Sequence, residues 1–129
     1  MRLYLSHRIT SPTPEGQELN CLAAIAFAKG LRYYFPGVEI YVPAESEPFV
    51  AKTYKLGMLT VNQILEIDCQ IILKDCEGAI FYSPDGELSP GMRVEYNFCQ
   101  LEHVPFIIVN SLALAQISQF LTRLDAERE

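Results

Sequence analysis

Short apolar segments rich in β-branched and aromatic residues alternate along this chain with longer segments whose apolar residues recur at helical spacing. The short segments predict strands at residues 2–6, 38–42, 78–82 and 105–109. The longer ones predict helices at 15–35, 49–54 and 59–74, from about 89 to about 103, and from 111 onward. Because strands alternate with helices, the sequence predicts a parallel sheet covered by helices on both faces.

The pattern predicts a single domain over residues 1–129. Its fold class is α/β, doubly wound and flavodoxin- or Rossmann-like, with a parallel sheet of four to five strands whose first four are ordered 2-1-3-4. With 129 residues, 50% of them hydrophobic, the chain can bury one core and no more. Two helices show apolar stripes that we expect to face inward, formed in the first by Leu19, Leu22 and Ala26 and in the last by Leu114, Ile117, Leu121 and Leu124.

Composition excludes several classes of partner. Sixteen acidic against ten basic residues give a net charge of −6, which argues against a nucleic acid polymer as ligand. The N-terminus lacks the apolar core of a signal peptide, and no apolar run approaches the ~20 residues of a membrane span, so we expect a cytoplasmic protein with no membrane partner. The cysteines show no CxxC spacing and the two histidines are far apart, which predicts free thiols and no metal site. Those cysteines are Cys21, Cys69, Cys76 and Cys99.

The stretch Ser89-Pro90-Gly91-Met92-Arg93-Val94-Glu95 follows a predicted strand and opens a helix. Glu95 lies three residues after Met92, three before Phe98 and four before Cys99, which places its carboxylate on the apolar stripe of that helix. A loop from strand to helix lies at the open edge of a parallel sheet, and the partial positive charge of a helix N-terminus stabilises an anion. The sequence therefore predicts functional chemistry at Glu95.

Asp68 is a second carboxylate on an apolar stripe. It lies four residues after Ile64 and four before Ile72, in a stripe that also contains Val61, Leu65 and Ile71. Burial of an unpaired carboxylate is costly, so Asp68 must be partnered, protonated or exposed in a cleft. Two inward carboxylates on neighbouring helices are what glycosyl transfer uses, one as nucleophile and one to manage the proton of the leaving group. The alternative is structural: each acid caps a loop or binds an arginine.

Four features together resemble the nucleoside 2-deoxyribosyltransferase superfamily, including its small nucleotide N-glycosidase branch and short phage and bacterial relatives. The first strand contains a tyrosine, in Arg2-Leu3-Tyr4-Leu5-Ser6. A helix carries an acid, Asp68, in the pair Ile67-Asp68. A second acid follows it and precedes a strand, in Lys74-Asp75-Cys76-Glu77-Gly78-Ala79-Ile80. The stretch from Ser89 to Glu95 has the pattern S-x-G-x-x-x-E. The helix that it opens leads to a strand that begins with Pro, in His103-Val104-Pro105-Phe106-Ile107-Ile108-Val109.

The resemblance implies a role for each matched position. Glu95 matches the nucleophile that forms a covalent glycosyl-enzyme intermediate, Asp68 the acid beside the leaving base, and Tyr4 the residue that positions the nucleophile. Ser89 stands where transferases acting on free nucleosides tend to carry an aspartate, and serine suits a 5′-phosphate that an aspartate would repel. Gly91 lets backbone N–H groups approach the substrate.

The implied substrate-binding set is completed by residues around these positions: Ser6, His7, Arg8 and Met92. The family's nucleotide-cleaving branch has a glycine-rich first loop, whereas this chain has His7 and Arg8 there, which could supply positive charge for a phosphate. A solvated loop explains these two residues equally well. Tyr4 would by default be a packed aromatic with a satisfied hydroxyl.

The expected function is cleavage or transfer of the N-glycosidic bond of a (deoxy)nucleoside 5′-monophosphate, without a metal or organic cofactor. We expect a homodimer or higher homo-oligomer, because family members complete the pocket with a neighbouring subunit and four strands leave part of the last helix uncovered. The open alternatives are a non-catalytic nucleotide-binding or signalling module, a deoxyribosyltransferase acting on free nucleosides, and a structural partner protein with both acids paired.

Overall fold

The computed structural model describes residues 1–128 and shows a four-stranded sheet in which each pair of neighbouring strands is parallel. The strands are ordered β2-β1-β3-β4, as the sequence predicts. They are β1 (Arg2–His7), β2 (Glu39–Tyr41), β3 (Gly78–Tyr82) and β4 (Phe106–Val109). The helices are α1 (Pro14–Tyr34), α2 (Glu47–Lys55), α3 (Val61–Asp75), α4 (Pro90–Leu101) and α5 (Leu114–Arg128), with a 3₁₀ turn at Pro43–Ser46 before α2.

Alternation along β1 divides the interior into two layers, because successive side chains of a strand point to opposite faces. Leu3 and Leu5 pack in one cluster with residues of α1 and α5. Tyr4 packs in the other cluster with Ala79, Phe81 and residues of α3 and α4. The domain is therefore doubly wound, and the polar groups of Tyr4 and Ser6 share the face covered by α3 and α4.

Side-chain caps fix the start of the two helices that cover this face. Thr60 accepts a hydrogen bond from the Gln63 N–H at 3.1 Å, and the Gln63 side chain accepts one from the Thr60 N–H at 2.8 Å. This reciprocal capping box satisfies two backbone donors at the first turn of α3. Ser89 caps α4, and Pro90 occupies the first turn, where its missing N–H costs nothing.

The prediction for the inner face of the first helix is wrong. Leu19, Leu22 and Ala26 are exposed, and α1 instead buries a different set. Because apolar residues occupy both sides of this helix, their periodicity alone does not identify the side that meets the sheet. The residues of α1 that the fold does bury are Ala24, Phe27, Ala28 and Leu31.

Most of the apolar stripe predicted for the last helix does face inward, and the domain itself covers it. Ile117 and Leu124 are buried and Leu121 packs against the same cluster, while Leu114 lies at the exposed margin. The last helix therefore offers little uncovered apolar surface, and this reason for expecting a dimer fails. In α3, Val61 is also exposed, although the sequence pattern counts it on the inward stripe.

Across the described residues, each helix is either too short or too polar to cross a bilayer.

Candidate active site

Glu95 lies on α4 with its carboxyl group enclosed against β1. The residue is 5% exposed. The Ser6 hydroxyl donates to its Oε1 at 2.8 Å, and the Tyr4 hydroxyl donates to its Oε2. Tyr4 and Ser6 can both reach it because they are two residues apart on one strand and so point to the same face. Both carboxyl oxygens are thus fixed by hydroxyl donors, which orients the group.

Tyr4 is itself held rigidly. Its ring is fully buried and stacks on that of Tyr41, with ring centroids 5.6 Å apart and an interplanar angle of 20°. Burial raises the pKa of the Tyr4 phenol well above its usual value, and the negative charges of Glu95 and Asp68 raise it further. Tyr4 therefore keeps its proton and remains a donor to the carboxyl group.

Asp68 lies on α3 and is half-buried. Burial raises the pKa of Asp68 to about 6; the nearby Tyr4 hydroxyl lowers it in part, and the charge of Glu47 raises it. Asp68 is therefore close enough for its charge to raise the pKa of both Tyr4 and Glu95.

Burial raises the pKa of Glu95 to about 8, although its hydrogen bonds with Tyr4 and Ser6 lower it and the charge of Asp68 raises it. Two carboxyl groups that interact in this way titrate as a pair. Near neutral pH the pair holds about one proton, mainly on Glu95, and one negative charge, mainly on Asp68. A displacement with leaving-group protonation needs the reverse arrangement, with the charge on Glu95 and the proton on Asp68, so the proton must pass from Glu95 to Asp68 before the attack.

Neither of these two acids forms one of the ion pairs found in the structure. Arg2–Glu39, Arg8–Asp85 and Arg32–Glu45 are ion pairs of the described side chains. In the part of the chain up to residue 127, no arginine forms an ion pair with Glu95 or Asp68. Glu95 also caps no loop, since its partners are side chains of a core strand.

A cavity of about 220 Å³ opens at the carboxyl ends of β1 and β3. Its walls come from the end of β1, the side of α1 and the loop between β3 and α4. Its position at this edge is where doubly wound folds bind ligands. Its lining includes His7, Arg8, Ser83, Asp85, Glu87 and Met92 but not Tyr4, Ser6, Asp68 or Glu95.

His7 is a scaffolding residue in this structure. Its Nδ1 lies 3.1 Å from the Arg8 carbonyl, and its Nε2 accepts from the Ala44 N–H at 3.1 Å. Burial lowers the pKa of His7, which keeps the ring neutral. With both ring nitrogens engaged, His7 fixes the loop after β1 and leaves no nitrogen for a phosphate.

Arg8 lies at the mouth of the cavity, paired with Asp85. Its guanidinium donates to the two carboxylate oxygens of Asp85 at 3.1 and 3.4 Å and to the Glu87 carbonyl at 3.3 Å. Asp85 in turn accepts from the Ser83 hydroxyl and the Glu87 N–H, both at 3.0 Å. The positive charge that the sequence offers for a phosphate is therefore balanced by a carboxylate.

Asp85 is the residue of this region that the sequence interpretation misses. The segment Ser83-Pro84-Asp85-Gly86 predicts a turn, and the structure confirms the turn: the Gly86 N–H bonds the Ser83 carbonyl at 3.1 Å, and Gly86 has a φ of +82°. Nothing in the turn pattern indicates that its aspartate reaches Arg8, since the two are far apart in sequence.

Ser89, Gly91 and Met92 lie at the first turn of α4. The Ser89 Oγ accepts from the Met92 N–H at 3.3 Å, which leaves its hydroxyl hydrogen to donate elsewhere. A Cβ at Gly91 would meet the Leu65 Cδ2 at 3.6 Å, an ordinary contact, so packing does not by itself demand glycine there. Met92 is buried and forms one wall of the cavity.

Comparison of the chain with models of protein families, with curated proteins and with solved structures finds no match. The described residues also contain no group of three or more histidines, cysteines and acids arranged to hold a metal ion. The geometry of Glu95, Tyr4, Ser6 and Asp68 is therefore the main support for any functional assignment.

Proposed function

We propose that this protein cleaves or transfers the N-glycosidic bond of a (deoxy)nucleoside 5′-monophosphate through a covalent glycosyl intermediate on Glu95. The observation that supports the proposal is the carboxyl group of Glu95, oriented by the hydroxyls of Tyr4 and Ser6 and coupled to Asp68. A buried carboxyl pair with one proton and one charge supplies both a nucleophile and an acid.

The first step forms an ester between Glu95 and the sugar. A carboxylate oxygen of Glu95 attacks C1′, the bond from C1′ to the base nitrogen breaks, and that nitrogen takes the proton of Asp68 along with the bonding electrons. Two hydroxyl donors to Glu95 support its role as the nucleophile, which requires that the proton kept on Glu95 by burial first passes to Asp68. Asp68 is the more exposed acid, so it can face the leaving base.

The second step releases the sugar. Water, or the nitrogen of a second base, attacks C1′ and displaces the carboxylate of Glu95, while the carboxylate of Asp68 takes the proton of the attacking group. Positive charge develops at C1′ in both transition states and is offset by the adjacent carboxylate. Tyr4 and Ser6 hold that carboxylate in one orientation throughout.

A panel of nucleoside monophosphates and free nucleosides, followed by chromatography, tests the proposal. We expect free base to be released from at least one member of the panel. Tight binding of a nucleotide without release of base would instead favour a non-catalytic nucleotide-binding module. Neither binding nor release across the panel would favour a structural protein.

One observation favours a free nucleoside as the substrate. Arg8 is paired with Asp85, and Glu87 lines the same cavity, so the loop after β3 brings negative charge to the place where a phosphate would enter. A phosphate must therefore displace Asp85 from Arg8, whereas an uncharged sugar hydroxyl need not.

Substitution at Ser89 distinguishes the two substrates. Ser89→Asp keeps the helix cap, because aspartate caps as well as serine, but it adds a charge that repels phosphate. If the Ser89 hydroxyl donates to a phosphate, that bond contributes on the order of 1.5–3 kcal/mol, roughly ten- to hundredfold in affinity. We expect the ratio of kcat/KM for monophosphate and nucleoside to favour monophosphate in the wild type and to reverse in Ser89→Asp.

Ser89→Thr is the matched control, since threonine retains both the cap and the hydroxyl. A wild type that prefers the nucleoside, or a ratio that Ser89→Asp leaves unchanged, would show that Ser89 does not contact a phosphate. The protein would then act on free nucleosides.

A further inference from the structure

The first helix has a second apolar face that the domain does not cover. Leu19 and Leu22 are 66% and 54% exposed, and Tyr33 is 78% exposed. Ala26 lies between them and is also exposed. A surface helix normally has one apolar side, and a helix apolar on two sides is typical of one buried between two layers.

This outer face has the spacing of a helix–helix seam. Its residues are separated by alternating steps of four and three along α1. The heptad repeat of two packed helices produces this spacing. From the N-terminal end, the seam consists of Glu15, Leu19, Leu22, Ala26, Lys29 and Tyr33.

We propose that this seam, the outer face of α1, packs antiparallel against the same seam of a second copy of the chain. The charges select this partner and this direction. Glu15 and Glu18 lie near the N-terminal end of the seam and Lys29 near its C-terminal end, all of them exposed. A face that is acidic at one end and basic at the other is complementary to itself only when the second copy runs in the opposite direction.

A two-fold axis at the level of Ala24 gives the pairing. It places Leu22 opposite Ala26 of the second copy, so that a large side chain meets a small one. It places Lys29 opposite Leu19 of the second copy, within about one helical turn of that copy's Glu15 and Glu18. A parallel arrangement would instead set Lys29 against Lys29 and acid against acid, which is unfavourable.

The contact is isologous, so each interaction occurs twice and the assembly closes at two chains. The seam excludes Glu95, Asp68 and the residues that line the cavity at the sheet edge. Dimerisation can therefore be tested independently of the proposed reaction, because substitutions in the seam leave the site intact.

Light scattering after size exclusion, over a wide range of concentrations, tests the proposal. We expect the wild type to have twice the mass of the 14.6 kDa chain. Leu22→Asp should weaken association about a hundredfold or more, because two buried leucines are replaced by charges, and should leave the thermal midpoint of the monomer unchanged. Leu101→Asp is the control, since Leu101 is an exposed leucine (78%) on α4. A monomeric wild type, or a dimer that Leu101→Asp dissociates and Leu22→Asp does not, would overturn the proposal.

Charge reversal tests the direction of packing. Glu18→Lys and Lys29→Glu should each weaken the homodimer, because each sets like charges against one another. An equimolar mixture of the two variants should form a mixed dimer more tightly than either variant forms its own. If the mixture associates no better than the single variants, the antiparallel arrangement is wrong.

Discussion

At the scale of single residues, Glu95 lies in surroundings that oppose its ionisation. Burial raises its pKa to about 8 and that of Asp68 to about 6, each above the usual value of its residue type. The folded protein thus retains protons that the unfolded chain releases. Such groups lower stability as the pH rises, and proteins keep them where they serve a function.

We expect the free energy of unfolding to fall as the pH rises from about 4.5 to about 8. In this window the folded state binds more protons than the unfolded state, because the pKa of Glu95 rises from 4.5 to about 8 on folding. Between about pH 6 and 8 the slope should be lost in Glu95→Gln, which cannot titrate and can still pair with Tyr4 and Ser6, whereas below pH 6 the raised pKa of Asp68 still contributes. Urea unfolding of both proteins across the pH range measures this, and an unchanged slope in the variant would place the titration elsewhere.

Asp68→Asn should reduce base release by ~10²–10⁴-fold, the usual contribution of one acid–base group. Stability should not fall at neutral pH, because the substitution removes a partly buried carboxyl group whose pKa is raised to about 6. Activity per folded molecule and the thermal midpoint, measured on the same sample, separate the two effects. A lower midpoint with full activity would indicate a structural role for Asp68.

At the scale of secondary structure, most elements follow from local pattern, and the departures have local causes. Strand order and the starts of α3 and α4 are predictable from apolar runs, caps and proline. The buried side of α1 is not predictable from the sequence, because Leu19 and Leu22 make the outer side as apolar as the inner one. The contact of Arg8 with Asp85 is not predictable either, since it joins two loops distant in sequence.

The cap of α3 provides a test at this scale. Thr60→Ala removes the capping box and should cost ~1 kcal/mol, which lowers the thermal midpoint by roughly 3–6 °C for a domain of this size. Thr60→Ser keeps an oxygen for the Gln63 N–H and should behave nearly as the wild type does. Thermal unfolding followed by circular dichroism measures both. Equal loss in the two variants would show that the methyl group of Thr60, and not its cap, matters.

At the scale of the whole molecule, the two faces of the sheet have separate tasks. The face under α1 and α5 holds an almost wholly apolar cluster, whereas the face under α3 and α4 encloses Tyr4, Ser6 and Glu95. The pattern of the sequence predicts the doubly wound fold and the two inward acids. Only the fold shows that β1 supplies the donors to Glu95, because that contact depends on packing between α4 and a strand near the other end of the chain.

Turnover by Glu95→Gln tests the role of Glu95 as the nucleophile most directly. The amide is nearly isosteric with the carboxyl group and accepts the Tyr4 bond, so the variant should fold and bind substrate, but it is a poor nucleophile. With the substrate found in the panel, we expect the wild type to release base and the variant to release none above the uncatalysed rate. Base release by the purified, folded variant at close to the wild-type rate would contradict the assignment of Glu95 as the nucleophile.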